Sequence, residues 1–229
     1  KVTSWASDKI GFDAIKEDLA KQIKDDYIQV AVLDSGVETN HEIFEDRLIE
    51  STVNLSNTGE ENSVEDDYGH GTHVAGIIVD NTLSNVKIKP YKVLNNKGKG
   101  SESLIAIAID LAVAEGADII NMSLASNGEF QMMKDSVDNA VANDVNVVVA
   151  AGNDKKNLSQ EYVSPACIES AFTVSATTQK NELASFSNYN GPVDIAAPGV
   201  DINSSYPKNK YIKLSGTSMA APQVAAGLA

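Results

Sequence analysis

A three-layer α/β fold, with a mainly parallel central sheet flanked by helices, is the architecture this sequence predicts, and three observations carry the prediction. Short β-branched runs alternate with amphipathic stretches, the pattern of βαβ units whose strands are covered on both faces. The 229 residues are 42% hydrophobic, enough for one substantial core, and no repeat, low-complexity tract or linker divides them, so a single domain over 1–229 is expected. No apolar run approaches the length of a bilayer-spanning helix, so no membrane-spanning segment is expected.

Taken in order, Ile28 to Leu33 is the first strand, an apolar run that ends at Asp34-Ser35-Gly36. Open α/β sheets gather functional groups beyond the carboxyl ends of their strands, which singles out Asp34. Ser51 to Asp67 is rich in Ser, Asn, Glu and Asp and follows neither period, so it reads as a mobile surface loop and the best internal nicking site. The second strand is expected over Ile88 to Leu94, the third over Asp118 to Met122, the fourth over Val145 to Ala151 and the fifth over Phe172 to Ala176. Ser103 to Glu115 and Gln131 to Asn143 have the helical period and the length of crossovers. A last helix is expected to open at Ser218 and run through Ala229, so the sequence breaks off inside an apolar element and the domain reads as truncated there.

Charge and cysteine usage exclude several classes. With 18 basic against 32 acidic residues, a net charge of −14 argues for solubility and against a nucleic-acid partner, which draws on clustered Lys and Arg. The single cysteine, Cys167, excludes an intramolecular disulfide and a cysteine-based zinc site, and without a neighbouring histidine it reads as structural. His70 and His73 stand three apart but lack H-E-x-x-H and a third ligand, so no metal is assigned to them. Lys1 to Trp5 lacks the apolar core of a signal peptide, so any targeting segment is expected to have been removed.

Three short segments concentrate the chemistry: Val30-Ala31-Val32-Leu33-Asp34-Ser35-Gly36, Gly69-His70-Gly71-Thr72-His73-Val74-Ala75-Gly76 and Gly216-Thr217-Ser218-Met219-Ala220-Ala221-Pro222. A serine in the first turn of a helix projects its hydroxyl, and the helix N-terminus favours the negative charge that develops during acyl transfer. Each residue alone has an ordinary reading: Asp34 as a turn residue, His70 as a helix cap, Ser218 as another cap. Their chain order is more telling. Asp, His, Ser differs from the His, Asp, Ser of chymotrypsin-like enzymes and the Ser, acid, His of α/β-hydrolases, whose G-x-S-x-G elbow is also broken here by Ala220. Together the three segments resemble the subtilisin-like serine proteases, the subtilase family, over nearly the whole chain.

The resemblance implies a serine endopeptidase with Ser218 as nucleophile, His70 as base and Asp34 as the residue that orients the imidazole. It implies that Asn153, at the end of Val147-Val148-Val149-Ala150-Ala151-Gly152-Asn153, donates to the oxyanion. Gly98-Lys99-Gly100-Ser101 and Ser123-Leu124-Ala125-Ser126 match its two substrate-flanking segments, which bind an extended peptide by strand addition, with Gly152 and Asp154 at the neighbouring rim. Ala125 and Ser126 replace the two glycines of the usual S-L-G-G, which narrows the mouth of the pocket for the residue before the cut. Subtilisins commonly hold calcium through a carboxylate shortly after the triad aspartate and a loop after the histidine helix. Here those places read Ile43 and the short Ile77 to Ser84, so that site is expected to be absent and no cofactor is assigned.

The same resemblance implies a peptide or protein substrate, an inhibitory propeptide as partner, a monomer, and secretion or display at the cell surface. The composition and the altered substrate segment are also similar to those of the lanthipeptide leader peptidases, which make one defined cut in a precursor. A general degradative subtilase and, from another class, a silent binding module on the same fold are the alternatives.

Overall fold

In the computed structural model the chain is described over residues 4–21 and 26–229; Lys1 to Thr3, part of the segment read for targeting, lie outside them. Six parallel strands form the central sheet: β1 (Ile28–Asp34), β2 (Val86–Lys92), β3 (Ile119–Met122), β5 (Asn146–Ala150), β7 (Phe172–Thr177) and β8 (Val193–Pro198). Their order across the sheet is β2-β1-β3-β5-β7-β8. The remaining short strands are β4 (Ser126–Asn127), paired with β6 (Val163–Ser164), and the antiparallel ribbon of β9 (Ile202–Tyr206) and β10 (Lys210–Leu214).

Alternate side chains of each central strand enter opposite layers, because successive residues of a strand point to opposite faces. Val30 and Val32 join Val148 and Ala150 beneath α3 (His70–Asp80) and α6 (Thr217–Leu228). Ala31 and Leu33 join Val147 and Val149 beneath α4 (Glu102–Ala114) and α5 (Gln131–Ala142). Burial on both faces explains why these strands read as unbroken apolar runs. Two short helices, α1 (Trp5–Ile10) and α2 (Phe12–Ala20), lead into the sheet; Ser4 caps α1, and the Trp5 indole donates to Val200 O at 3.0 Å.

All five expected strands and both crossover helices are present, with one shift. The second strand begins and ends two residues earlier than expected, at Val86–Lys92, and includes Pro90. A proline lacks a ladder donor, and β2 tolerates it because it is the edge strand. Beyond Lys92 the chain turns away from strand geometry, since the amides of Val93 and Leu94 both reach Asp34 O, at 2.8 and 3.0 Å.

The segment Ser51–Asp67 differs from a loose loop. Lys92, fully buried, sends its ammonium to Ser35 O at 3.0 Å, Glu65 O at 2.8 Å and Asp67 Oδ1 at 2.6 Å. A buried amine requires such partners, and satisfying it ties the end of the segment to the sheet. Leu55 N donates to Lys92 O and Val64 is buried, which leaves residues 59–62 as the exposed tip. Cys167 is half-buried, packed against the small cluster of Ala151, Leu158, Val163 and Ala166.

Candidate active site

The chain leaves β1 for β2 on one side and returns to β3 on the other, so β1 and β3 flank the switch in winding direction. Crevices at the carboxyl ends of such strands are where open α/β sheets place their sites. Asp34 closes β1, Ser123 follows β3, and Gly152 and Asn153 follow β5.

Asp34 is buried, and its carboxylate lies 2.7 and 2.9 Å from Nδ1 of His70 while Oδ1 also accepts from Ser35 N at 2.7 Å. A carboxylate only accepts, so Nδ1 carries the proton and Nε2 presents its lone pair to the cleft. Close approach of α3 to the β1 turn makes the pair possible. A Cβ on Gly71 would stand 2.1 Å from Gly36 O, so only glycine lets the first helical turn settle there. The helix start is then fixed by Asp66: Oδ1 accepts from Ser35 Oγ, Tyr68 N and Gly69 N, and Oδ2 from Thr72 N and Thr72 Oγ1. Burial alone pushes the His70 pKa down, but the charge and hydrogen bond of Asp34, with the charge of Asp66 behind them, leave it above the ordinary imidazole value.

Ser218 stands in the first turn of α6 and is stitched to the end of β3. Its hydroxyl donates to Ser123 O at 3.1 Å, while Ser123 Oγ donates to Ser218 O at 2.9 Å. Among the described residues no hydrogen bond joins Ser218 Oγ to His70; the two share the walls of two clefts instead. Asn153 shares both walls too. Its amide has one orientation, because Oδ1 accepts from Thr217 N at 2.8 Å and Thr217 Oγ1 at 2.9 Å, leaving Nδ2 as the free donor. Gly152, at φ 102°, allows this turn: a Cβ there would meet Asn188 Nδ2 at 2.4 Å.

His70, Asn153 and Ser218 therefore form a ridge between a cleft of about 510 Å³ and one of about 350 Å³. The larger is walled by Gly98, Lys99 and Gly100 on one side, by Ser123, Leu124, Ala125 and Ser126 on the other, and by Gly152 and Asp154 beside Asn153. Ser101 does not line it. That residue is the N-terminal flank of α4, and its hydroxyl pairs with Ser103 Oγ at 2.9 Å. Glu102 does line the cleft and accepts from Ser126 Oγ at 2.9 Å, joining the two walls. Lys156 turns aside to Asn127 and Glu161.

Sequence reasoning missed Tyr68, Leu94, Ile105 and Met133, which line the larger cleft, and Thr217, which aims Asn153. The aliphatic three are indistinguishable in pattern from core positions, and Thr217 carried a signal only through its place beside Ser218. His70 and His73 do not converge on a common ligand: His73 is buried and bonds Ile212 O through Nε2 at 3.1 Å. Among the described residues no group of three or more His, Cys, Asp or Glu side chains is placed to hold a metal ion.

Comparison with known proteins agrees with this architecture. The subtilase family model matches residues 25–229, and the chain belongs to that family. It is 39% identical over 222 residues to the major intracellular serine protease of Bacillus subtilis (strain 168), covering 92% of this chain and 70% of that one. It is 36% identical over 230 residues to subtilisin DY of Bacillus licheniformis, covering 96% and 82%. Among solved structures, a cold-adapted subtilisin-like serine proteinase superposes with TM-score 0.78 at 36% identity, over 87% of this chain and 72% of that one. The epidermin leader peptide processing serine protease of Staphylococcus aureus shares the fold, with TM-score 0.88 at 24% identity over 97% and 68%. The protein is a subtilisin-like serine endopeptidase, acting on peptide or protein substrates.

Proposed function

We propose that Ser218 is the nucleophile, His70 its base, Asp34 the group that orients the imidazole, and Asn153 a donor to the oxyanion. One observation carries the reading: the Asp34–His70 pair, closed at 2.7 Å, shares a ridge with Ser218 and Asn153 between two clefts. A substrate strand lies across the ridge with its backbone against residues 98–100 and 123–126. Ser218 Oγ leaves Ser123 O, turns to Nε2 of His70 and attacks the carbonyl as its proton passes to the imidazole. Asn153 Nδ2 and the amide of Ser218 stabilise the oxyanion. The imidazolium returns its proton to the departing amine, and water repeats the sequence on the acyl-enzyme. A fluorophosphonate probe tests the assignment: it should label the wild type and leave Ser218→Ala untouched, and that variant should fold normally with no turnover. Turnover near wild type in Ser218→Ala, or an unlabelled wild type, rules it out; the latter result is that of a silent binding module.

The finer reading is limited cleavage of a precursor, of which leader-peptide removal is one form. The observation that favours it is the lining of the larger cleft: Ala125 and Ser126 both face it, where glycines would leave the mouth wider. Digestion of casein separates the readings. A few defined products fit a processing enzyme, whereas cleavage at many sites returns the general degradative one. Export remains part of the proposal: named relatives include both a major intracellular protease and a minor extracellular one, and no helix of the described residues is long and apolar enough to cross a membrane.

A further inference from the structure

Arg47 is the only arginine of the chain, and its guanidinium is spent on the far end of the helix that carries His70. Nε donates to Val86 O at 2.8 Å, Nη1 to Val79 O at 3.3 Å and Nη2 to Thr82 Oγ1 at 2.7 Å. Val79 belongs to the last turn of α3, whose carbonyls have no helical partner and form the negative end of the helix dipole. Val86 opens β2. One planar fork thus spans the turn from α3 to β2, and the backbone of the same residue is held beside β2, since Ile88 N donates to Arg47 O at 2.8 Å.

These are the two segments, one after the triad aspartate and one after the histidine helix, between which subtilisins commonly hold calcium. Calcium does not fit the residues present. It requires six to eight oxygens with carboxylates among them. Here the oxygens of Val79, Thr82 and Val86 already face a fixed positive charge, and Ile43, in the place of the carboxylate, packs against the apolar core. A second cation in that cluster meets the like charge of the guanidinium.

We propose that Arg47 is a resident cation that clamps the α3–β2 turn in place of calcium, so that the fold does not depend on that ion for this turn. Any variant that removes the guanidinium strands three oxygens that had shared it, and the loss appears as lowered thermal stability.

The test is thermal unfolding of the full chain carrying Ser218→Ala to stop self-digestion, after EDTA treatment and again in millimolar calcium. The unfolding temperature should be the same in both. Arg47→Gln should unfold roughly 5–10 °C lower, as expected for losing a charged hydrogen-bonding group from a domain of this size, and calcium should not restore it. If Arg47→Gln does not fold, Arg47→Lys replaces it; an ammonium keeps the charge without the fork, so a smaller fall, again indifferent to calcium, is expected. A rise of several degrees on adding calcium to the EDTA-treated chain with Arg47 intact overturns the proposal. So does an Arg47→Gln variant that unfolds at the unaltered temperature.

Discussion

At the scale of single residues the site turns on how His70 is poised. General-base action needs neutral imidazole, and the raised pKa means protonation persists to higher pH than for a free histidine. The acid limb of kcat/KM should therefore lie above pH 6.5, the ordinary value. Asp66→Asn removes one of the charges that hold the proton, so a pH–rate series should place its limb at lower pH than in the wild type; an unmoved limb means that Asp66 acts only as a helix cap. On the role proposed for Asn153, Asn153→Ala should lower kcat by roughly a hundred- to a thousandfold with KM little changed, because an oxyanion donor contributes about 3 kcal/mol chiefly in the transition state. Steady-state kinetics decide this, and a change in KM alone reassigns Asn153 to substrate binding. Asp34, His70, Asn153 and Ser218 could be picked out as candidates because each sits in a short motif, and folding pairs Asp34 with His70 and sets His70, Asn153 and Ser218 on one cleft. Asp66 and Thr217 were not picked out, since their work is to orient a neighbour, and nothing in a carboxylate or hydroxyl read in isolation says which donor or amide it will meet.

Secondary elements were legible in proportion to how deeply they are buried. Inner strands such as β1 and β5 announced themselves as apolar runs, whereas the largely exposed edge strand β8, Val-Asp-Ile-Ala-Ala-Pro, was not expected, and β9, which reads Ile-Asn-Ser-Ser-Tyr, gave no such signal. Its hydroxyls are there to meet helix carbonyls: Ser204 Oγ donates to His73 O and Ser205 Oγ to Thr72 O, both at 2.8 Å. The partner strand β10 accepts from His73 Nε2, so the ribbon that precedes Ser218 is fastened to the helix that begins with His70. This joint is acid-sensitive. Burial, the largest effect, lowers the His73 pKa from 6.5 to about 4, with the charge of His70 pushing the same way and the Ile212 and Ile202 carbonyls opposing it. Below pH 6.5 the unfolded chain takes up a proton that the folded one refuses, so stability falls as pH drops toward 4, by up to about 3 kcal/mol from this group. His70 acts in the opposite sense: its raised pKa adds stability below 6.5 that is lost as pH rises through the folded value. Denaturant midpoints for Ser218→Ala with and without His73→Gln, measured from pH 7 to pH 4, separate the two. The glutamine variant should show a flatter decline whatever its starting stability; parallel curves assign the acid sensitivity elsewhere.

Across the whole molecule, the net charge of −14 was legible from composition, but where it bears on the substrate depends on the fold. Folding brings Glu102 and Asp154, 52 positions apart in the chain, to the walls of one cleft. Lys156, two residues from Asp154 in the chain, is drawn off to Asn127 and Glu161, while Lys99 is the one lysine among the described residues lining the cleft, which His70 also lines. Two carboxylates against one amine favour a cationic substrate side chain near the cut. Glu102 has part of its acceptor capacity taken by Ser126, so Asp154 is the freer of the two to meet it. Both face water on one side, so the attraction is that of a screened pair, about 1 kcal/mol, or roughly fivefold in kcat/KM. Matched peptides with Arg, Leu, Phe and Glu before the scissile bond should rank with Arg first and Glu last. The spread should shrink at high salt, because solvent-exposed charges are screened beyond about 10 Å at 0.1 M ionic strength and more closely above it. Asp154→Asn should remove much of the Arg advantage while leaving Leu unchanged, which distinguishes charge from shape. An Arg preference that survives both salt and Asp154→Asn belongs to the narrow mouth at Ala125 instead, and a preference for Glu means that Lys99 governs the cleft.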